Sequence, residues 1–183
     1  MRIALVVLLG FGACGPADKG ADGAQGDPGP AGAMGAQGSA GTTGQDVVEA
    51  LGTGQLQVTA ATSFSVIPGL TVTTTVPQNA KLHVDTDGGI QCTGTANAYS
   101  VVDIAVFVDG SITAQRRIVA ANTAGVAQML ATWAFGRTFS LGAGSHTIDV
   151  RAAGVDPNAA IANVSSASAA QLQAVLTVTT LRM

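Results

Sequence analysis

From Leu56 onward the chain alternates apolar and polar residues with a period of two, the pattern of strands that put one face in a core. Leu56-Gln57-Val58-Thr59-Ala60 opens the series, and a strand over 70–76 follows a Pro68-Gly69 turn. Residues 81–85 and 90–93 read as two strands separated by a turn at Asp87-Gly88-Gly89. The clearest hairpin runs out along 101–108, turns at Asp109-Gly110 and returns along 111–119. Asp-Gly at that place suits a type I′ turn, in which both central residues take positive φ. Further strands are expected over 127–135, 137–141, 145–152 and 172–181, with Gly142-Ala143-Gly144 joining the second and third of these. The Ala- and Ser-rich stretch 159–170 reads as a loop because of its Asn163-Val164-Ser165-Ser166 centre. About ten short strands without an amphipathic helix predict an all-β head of two packed sheets.

One strand stands out. Val102, Ile104, Val106 and Val108 line one face of it, and Val101, Ala105 and Phe107 populate the other. A strand apolar on both faces has to be covered twice. The opposite sheet supplies one cover, and a neighbouring subunit is the expected source of the second.

Upstream the period changes from two to three. Glycine occupies positions 20, 23, 26, 29, 32, 35, 38, 41 and 44, with none out of phase between them. At an overall frequency of 24 glycines in 183 residues, nine consecutive hits would arise by chance about once in 10⁸. The spacing has a steric cause. When three polyproline-II strands wind about a common axis, every third residue passes through it and only glycine fits. Gly20, Gly23, Gly26, Gly29, Gly32, Gly35, Gly38, Gly41 and Gly44 are therefore the expected axis positions of a stalk over 20–46, spanning on the order of 80 Å if wound. Only Pro28 and Pro30 pre-set its backbone, so winding depends on a head that gathers three chains. The competing reading is a Gly/Ala linker. Val47, Val48 and Leu51, in the segment 47–51, are expected to form an apolar turn, a neck around the threefold axis.

The chain begins with Arg2 followed by an apolar run from Ile3 to Phe11, too short to span a bilayer as a helix and laid out as an export signal. Its end, Phe11-Gly12-Ala13-Cys14, resembles the signal of bacterial lipoproteins. That resemblance implies a signal peptide over 1–13, lipid on Cys14 as the membrane anchor, a linker over 14–19, and a place in the cell envelope or on the outer surface. Ordinary cleavage nearby, for example after Ala17, with secretion to the medium, is the alternative.

The triplets, such as Gly26-Asp27-Pro28 and Gly29-Pro30-Ala31, resemble those of bacterial collagen-like proteins. The order of signal, collagen-like run and β head over 52–183 resembles collagen-stalk proteins with C1q/TNF-like heads. The segment 139–150 resembles a late strand–turn–strand of such heads, and Leu172-Gln173-Ala174-Val175-Leu176-Thr177-Val178 resembles their last strand. The resemblance implies a jelly-roll sandwich that assembles as a homotrimer.

Composition narrows the partners. Charged residues make up 10% of the chain and aromatics 4%, with a net charge of −3. So few charges suggest that copies of the chain cover part of its surface. No basic patch is available for nucleic acid, since Arg116 and Arg117 point to opposite strand faces. Cys14 and Cys92 sit in different settings, and Cys92, alternating with Ile90, reads as a buried thiol.

Candidate chemistry is thin. His83 and Asp85 share a strand face, which suits a hydrolase or a metal pair, but the local sequence indicates no third group and no Gly-x-Ser-x-Gly elbow. His146 shares a face with Ile148 and Val150 and reads as a packed histidine. Asp85-Thr86-Asp87-Gly88 begins like a calcium loop without its closing carboxylate and reads as a turn. No catalytic set, metal or cofactor is expected. Tyr99 and Trp133, the only Tyr and Trp, are the candidate ligand-binding residues: rings that either stack on a sugar or anchor a core. Two functions follow, a structural or adhesive surface trimer, or a head that recognises an extracellular glycan or protein.

Overall fold

The computed structural model describes residues 44–126 and 128–183. The expected signal peptide, Cys14, the 14–19 linker and the stalk glycines from Gly20 to Gly41 lie outside the described residues.

Ten strands follow in order: β1 (Asp46–Leu51), β2 (Leu56–Val58), β3 (Ser65–Val76), β4 (Ala80–Cys92), β5 (Tyr99–Val108), β6 (Ser111–Ala121), β7 (Leu130–Phe139), β8 (Gly144–Gly154), β9 (Ala162–Val164) and β10 (Val175–Arg182). They form two antiparallel sheets. One runs β1-β10-β4-β7, with short β9 and β2 continuing beside the end of β4; the other runs β3-β8-β5-β6. Setting β2 and β9 aside, the first main strand pairs with the last, the second with the seventh, the third with the sixth and the fourth with the fifth. That nested pairing is a jelly roll. The head is thus the all-β two-sheet sandwich the alternation pointed to, with the jelly-roll nesting that the resemblance implied.

The core lies between the sheets. Ile67, Leu70, Leu82, Ile90, Ile104, Ile148, Leu176 and Val150 are completely enclosed there, and Cys92 is buried as a free thiol among them. The hairpin turn has positive φ at Asp109 (49°) and Gly110 (76°), the type I′ geometry that Asp-Gly favours.

Several boundaries differ from expectation, each for a packing reason. The predicted turn at Asp87-Gly88-Gly89 does not exist, and residues 80–92 form one strand. Gly88 lies against the Trp133 ring and Ala174, and Gly89 against Leu172, so the glycines admit close neighbours rather than turn the chain. The strands expected over 127–135 and 137–141 are likewise one, β7, running through Gly136, whose missing side chain leaves room for the Asp85 carboxylate. Pro68-Gly69 is an irregularity inside β3, with Gly69 at φ 90°, and the 159–170 stretch contains β9. The expected apolar neck at 47–51 is the edge strand β1, paired to β10 from Asp46↔Thr180 to Leu51↔Val175.

The second cover of β5 also differs from expectation: it comes from the chain itself. On the outer face of the β3-β8-β5-β6 sheet, Phe64 meets Phe107 edge-on with ring centroids 5.4 Å apart, and the Arg151 guanidinium lies 4.1 Å from the Phe107 ring centre. Arg151 also grips buried Asp149 through two hydrogen bonds, from Nε to Oδ1 (2.6 Å) and from Nη2 to Oδ2 (3.0 Å). Arg117 holds buried Asp103 in the same two-point way. These pairings satisfy the carboxylates that the close cover would otherwise leave without partners.

Candidate functional site

Alternation along β4 puts Lys81, His83, Asp85 and Asp87 on the outer face of the first sheet. The register sets His83 opposite Thr138 of β7, and Asp85 opposite Gly136. His83 Nδ1 lies 2.8 Å from Thr138 Oγ1, and its Nε2 lies 2.9 Å from Asp85 Oδ2. The His–Asp pair read in the sequence is therefore real, and it has a third member that local sequence did not indicate. A hydroxyl, an imidazole and a carboxylate in line are the parts of a general-base relay. β4 is paired on both sides here, with β10 and with β7, so its N–H groups are committed to the ladders; among the described residues β7 pairs with β4 alone, so alternate N–H groups of β7 lie outside the ladder. Among the described residues no cluster of three or more His, Cys, Asp or Glu could hold a metal.

A cleft of about 290 Å³ opens beside β4 and β7, lined by Asp87, Thr132, Trp133, Ala134, Gln171 and Gln173 among others. Trp133 is only 3% exposed. Its Nε1–H donates to Thr86 Oγ1 (3.3 Å), and that hydroxyl donates to the Val175 carbonyl (2.9 Å). The indole is thus a core anchor with a wall in the cleft, and its faces are not free for stacking. Gln171 and Asp87 are exposed, and Gln173 Nε2 donates to the Gly52 carbonyl (3.1 Å). The cleft presents amides, a carboxylate and a hydroxyl over a small apolar floor.

Tyr99 does not join Trp133. It opens β5 in the other sheet, and its hydroxyl donates to Asp156 Oδ2 (2.9 Å). That hydrogen bond, with some burial and the carboxylate's charge, holds the phenol above its ordinary pKa. The two rings singled out as a ligand pair belong to different sheets and serve different anchoring roles.

His146 is not simply packed against apolar neighbours. Its Nδ1 lies 2.7 Å from Asp109 Oδ2 and its Nε2 lies 2.8 Å from the Gly142 carbonyl. Asp109 also accepts from the Thr147 N–H (2.9 Å). Hydrogen bonding to Asp109, then to Gly142, raises the His146 pKa from its ordinary 6.5; the bond to His146, then that from Thr147, lowers the pKa of Asp109 from 3.8.

β1 also exposes apolar side chains. Val47 is 61% exposed and Leu51 47%, and both lie on the outer face beside Val175 and Leu181 of β10. Val48, on the other face, is also exposed. No protein-family model matches the chain, and no curated protein matches it.

Proposed function

We propose that the chain is an exported, non-enzymatic surface protein in which three jelly-roll heads assemble and are presented on a collagen-like stalk, anchored by lipid on Cys14. The observation that carries this reading is the unbroken phase of nine glycines ending at Gly44, two residues before β1 starts. A wound stalk delivers three chains side by side, so the strands nearest its end would be the first to meet. Those strands expose Val47, Val48 and Leu51. β1 is an edge strand that carries Asp46 and Glu49 as well as these apolar residues; exposed apolar side chains on an edge favour cover by another layer, and in this reading copies of the chain supply it.

Sedimentation of residues 15–183, with circular dichroism followed through a thermal melt, tests the proposal. A species of three chains with a polyproline-II signal that melts is the expected result. A single chain at micromolar concentration with no such transition would overturn it.

The cleft at Trp133 favours a second reading, a head that recognises a glycan or protein. Its amides and carboxylate are of the kind that bind hydroxyl groups. Under this reading Gln171→Ala with Asp87→Ala abolishes binding on a glycan array, whereas Trp133→Ala acts through stability.

A further inference from the structure

His146 sits where three segments meet: the β5–β6 turn at Asp109, the 140–143 connection between β7 and β8, and the first residues of β8. Both of its ring nitrogens face acceptors, a carboxylate oxygen at 2.7 Å and a carbonyl oxygen at 2.8 Å. A neutral imidazole has one N–H and one lone pair, so it satisfies only one of these neighbours; the imidazolium, with two N–H groups, satisfies both. We infer that His146 is a proton-dependent latch: protonated, it ties the 140–143 connection to the β5–β6 turn, and on losing its proton it releases the connection.

The charged partner decides which contact survives. The N–H facing Asp109 is held by a carboxylate and makes the stronger bond. The proton is therefore lost from Nε2, which then turns a lone pair toward the Gly142 carbonyl and repels it. Little else restrains this segment. Among the described residues no other hydrogen bond outside the strand ladders reaches 140–143, and Ser140, Gly142 and Ala143 are exposed, while Leu141 packs against the core. Gly144, at φ 145°, begins β8 immediately afterwards. The turn itself stays docked, because the Asp109 N–H donates to the Thr147 carbonyl (2.8 Å) and Asp109 accepts from the Thr147 N–H whatever the state of the imidazole.

The other charged groups nearby leave His146 to this pair. Its β3 register partner is Thr74, and β3 contains no charged residue. Asp149 and Arg151 occupy the opposite face of β8 and pair with each other. Across the sandwich, Arg137 donates to the Thr113 carbonyl and lies over Phe139, and Arg182 pairs with Asp46. The direction of the His146 shift, upward with Asp109 as its largest cause, agrees with the geometry. The Asp46–Thr180, Thr180–Leu82 and Leu82–Phe139 register places the latch at the end of the head where β1 begins.

Nitrogen-15 NMR of the full chain across pH 5 to 9 tests the latch. His83, the other histidine, provides an internal comparison. The expected result is that both His146 nitrogens are protonated at low pH and that its midpoint lies above 6.5. The amide of Ala143, which shares a peptide unit with the Gly142 carbonyl, should shift with the same midpoint, and its order parameter should fall as pH rises. Asp109→Asn should move both midpoints down together, and His146→Gln should abolish the Ala143 response while the β8 amides keep their dispersion. A singly protonated His146 throughout, or an Ala143 response that persists in His146→Gln, would overturn the inference.

Discussion

Trp133 packs directly against Gly88, across the β4–β7 ladder: a Cβ added at position 88 would stand 2.5 Å from indole Cη2 and Cζ2, and 2.7 Å from the Ala174 Cβ. Both neighbours are in the core, so neither can move aside freely. Gly88→Ala is expected to cost about 1–3 kcal/mol, as other overpacked cores do. Because Trp133 is the only tryptophan, its emission reports the same event. A lowered denaturant midpoint with a red-shifted folded-state emission is expected, and an unchanged midpoint would contradict the packing described.

Arg151 offers a second test. It satisfies Asp149, whose side chain is 8% exposed, and covers Phe107. Arg151→Ala leaves a buried carboxylate without its cation and is expected to cost about 3 kcal/mol or more. Asp149→Asn combined with Arg151→Met removes both charges and keeps an apolar cover on Phe107, so the double variant should regain part of the loss in urea unfolding. Arg117, although it grips Asp103 similarly, is much more exposed, and Arg117→Ala should destabilise less than Arg151→Ala.

The pH dependence of stability follows from the two shifted groups in the latch. The raised pKa of His146 means that its contribution is complete below 6.5 and is lost as pH rises through the folded-state value. The lowered pKa of Asp109 means that its contribution is complete above 3.8 and is lost as pH falls through the folded-state value. Both are present in full between 3.8 and 6.5. Urea midpoints should therefore be higher at pH 5.5 than at pH 8.5, and His146→Gln should narrow that difference. Equal midpoints at the two pH values in the parent would remove the latch from the stability balance.

How far the sequence reached depends on whether a residue's role is local. The β5–β6 hairpin was legible down to the φ signs of Asp109 and Gly110, because the turn's requirements lie within it. Gly88, Gly89 and Gly136 misled for the opposite reason. They carry the same local signal as a turn glycine, yet each is glycine because something from a neighbouring segment presses on it. The jelly-roll nesting and the His146–Asp109 and His83–Thr138 contacts depend on register between distant strands, which alternation leaves open. Alternation did place His83 beside Asp85 and Cys92 in the core. It could not show that Trp133 and Tyr99 would be anchored in separate sheets.

The last prediction concerns assembly and is read from β1. Val47 and Leu51 already face outward in the single head, and their register partners Thr179 and Val175 are on the same outer face. Replacing them alters little inside one head, since exposed positions away from special features usually change stability by less than about 0.5 kcal/mol. Three copies meeting along this strand would feel the change differently. Val47→Lys with Leu51→Lys would add six positive charges to such a contact, twice the number of Glu49 carboxylates beside them on the same face, and an unpaired charge in a dry contact is very costly. If the heads assemble as proposed, the variant's sedimentation coefficient should fall from that of three chains to that of one, its urea midpoint should lose any dependence on protein concentration, and a polyproline-II transition of the proposed stalk should weaken, because only Pro28 and Pro30 pre-set that backbone. If the variant stays trimeric, the heads meet through some other surface than β1.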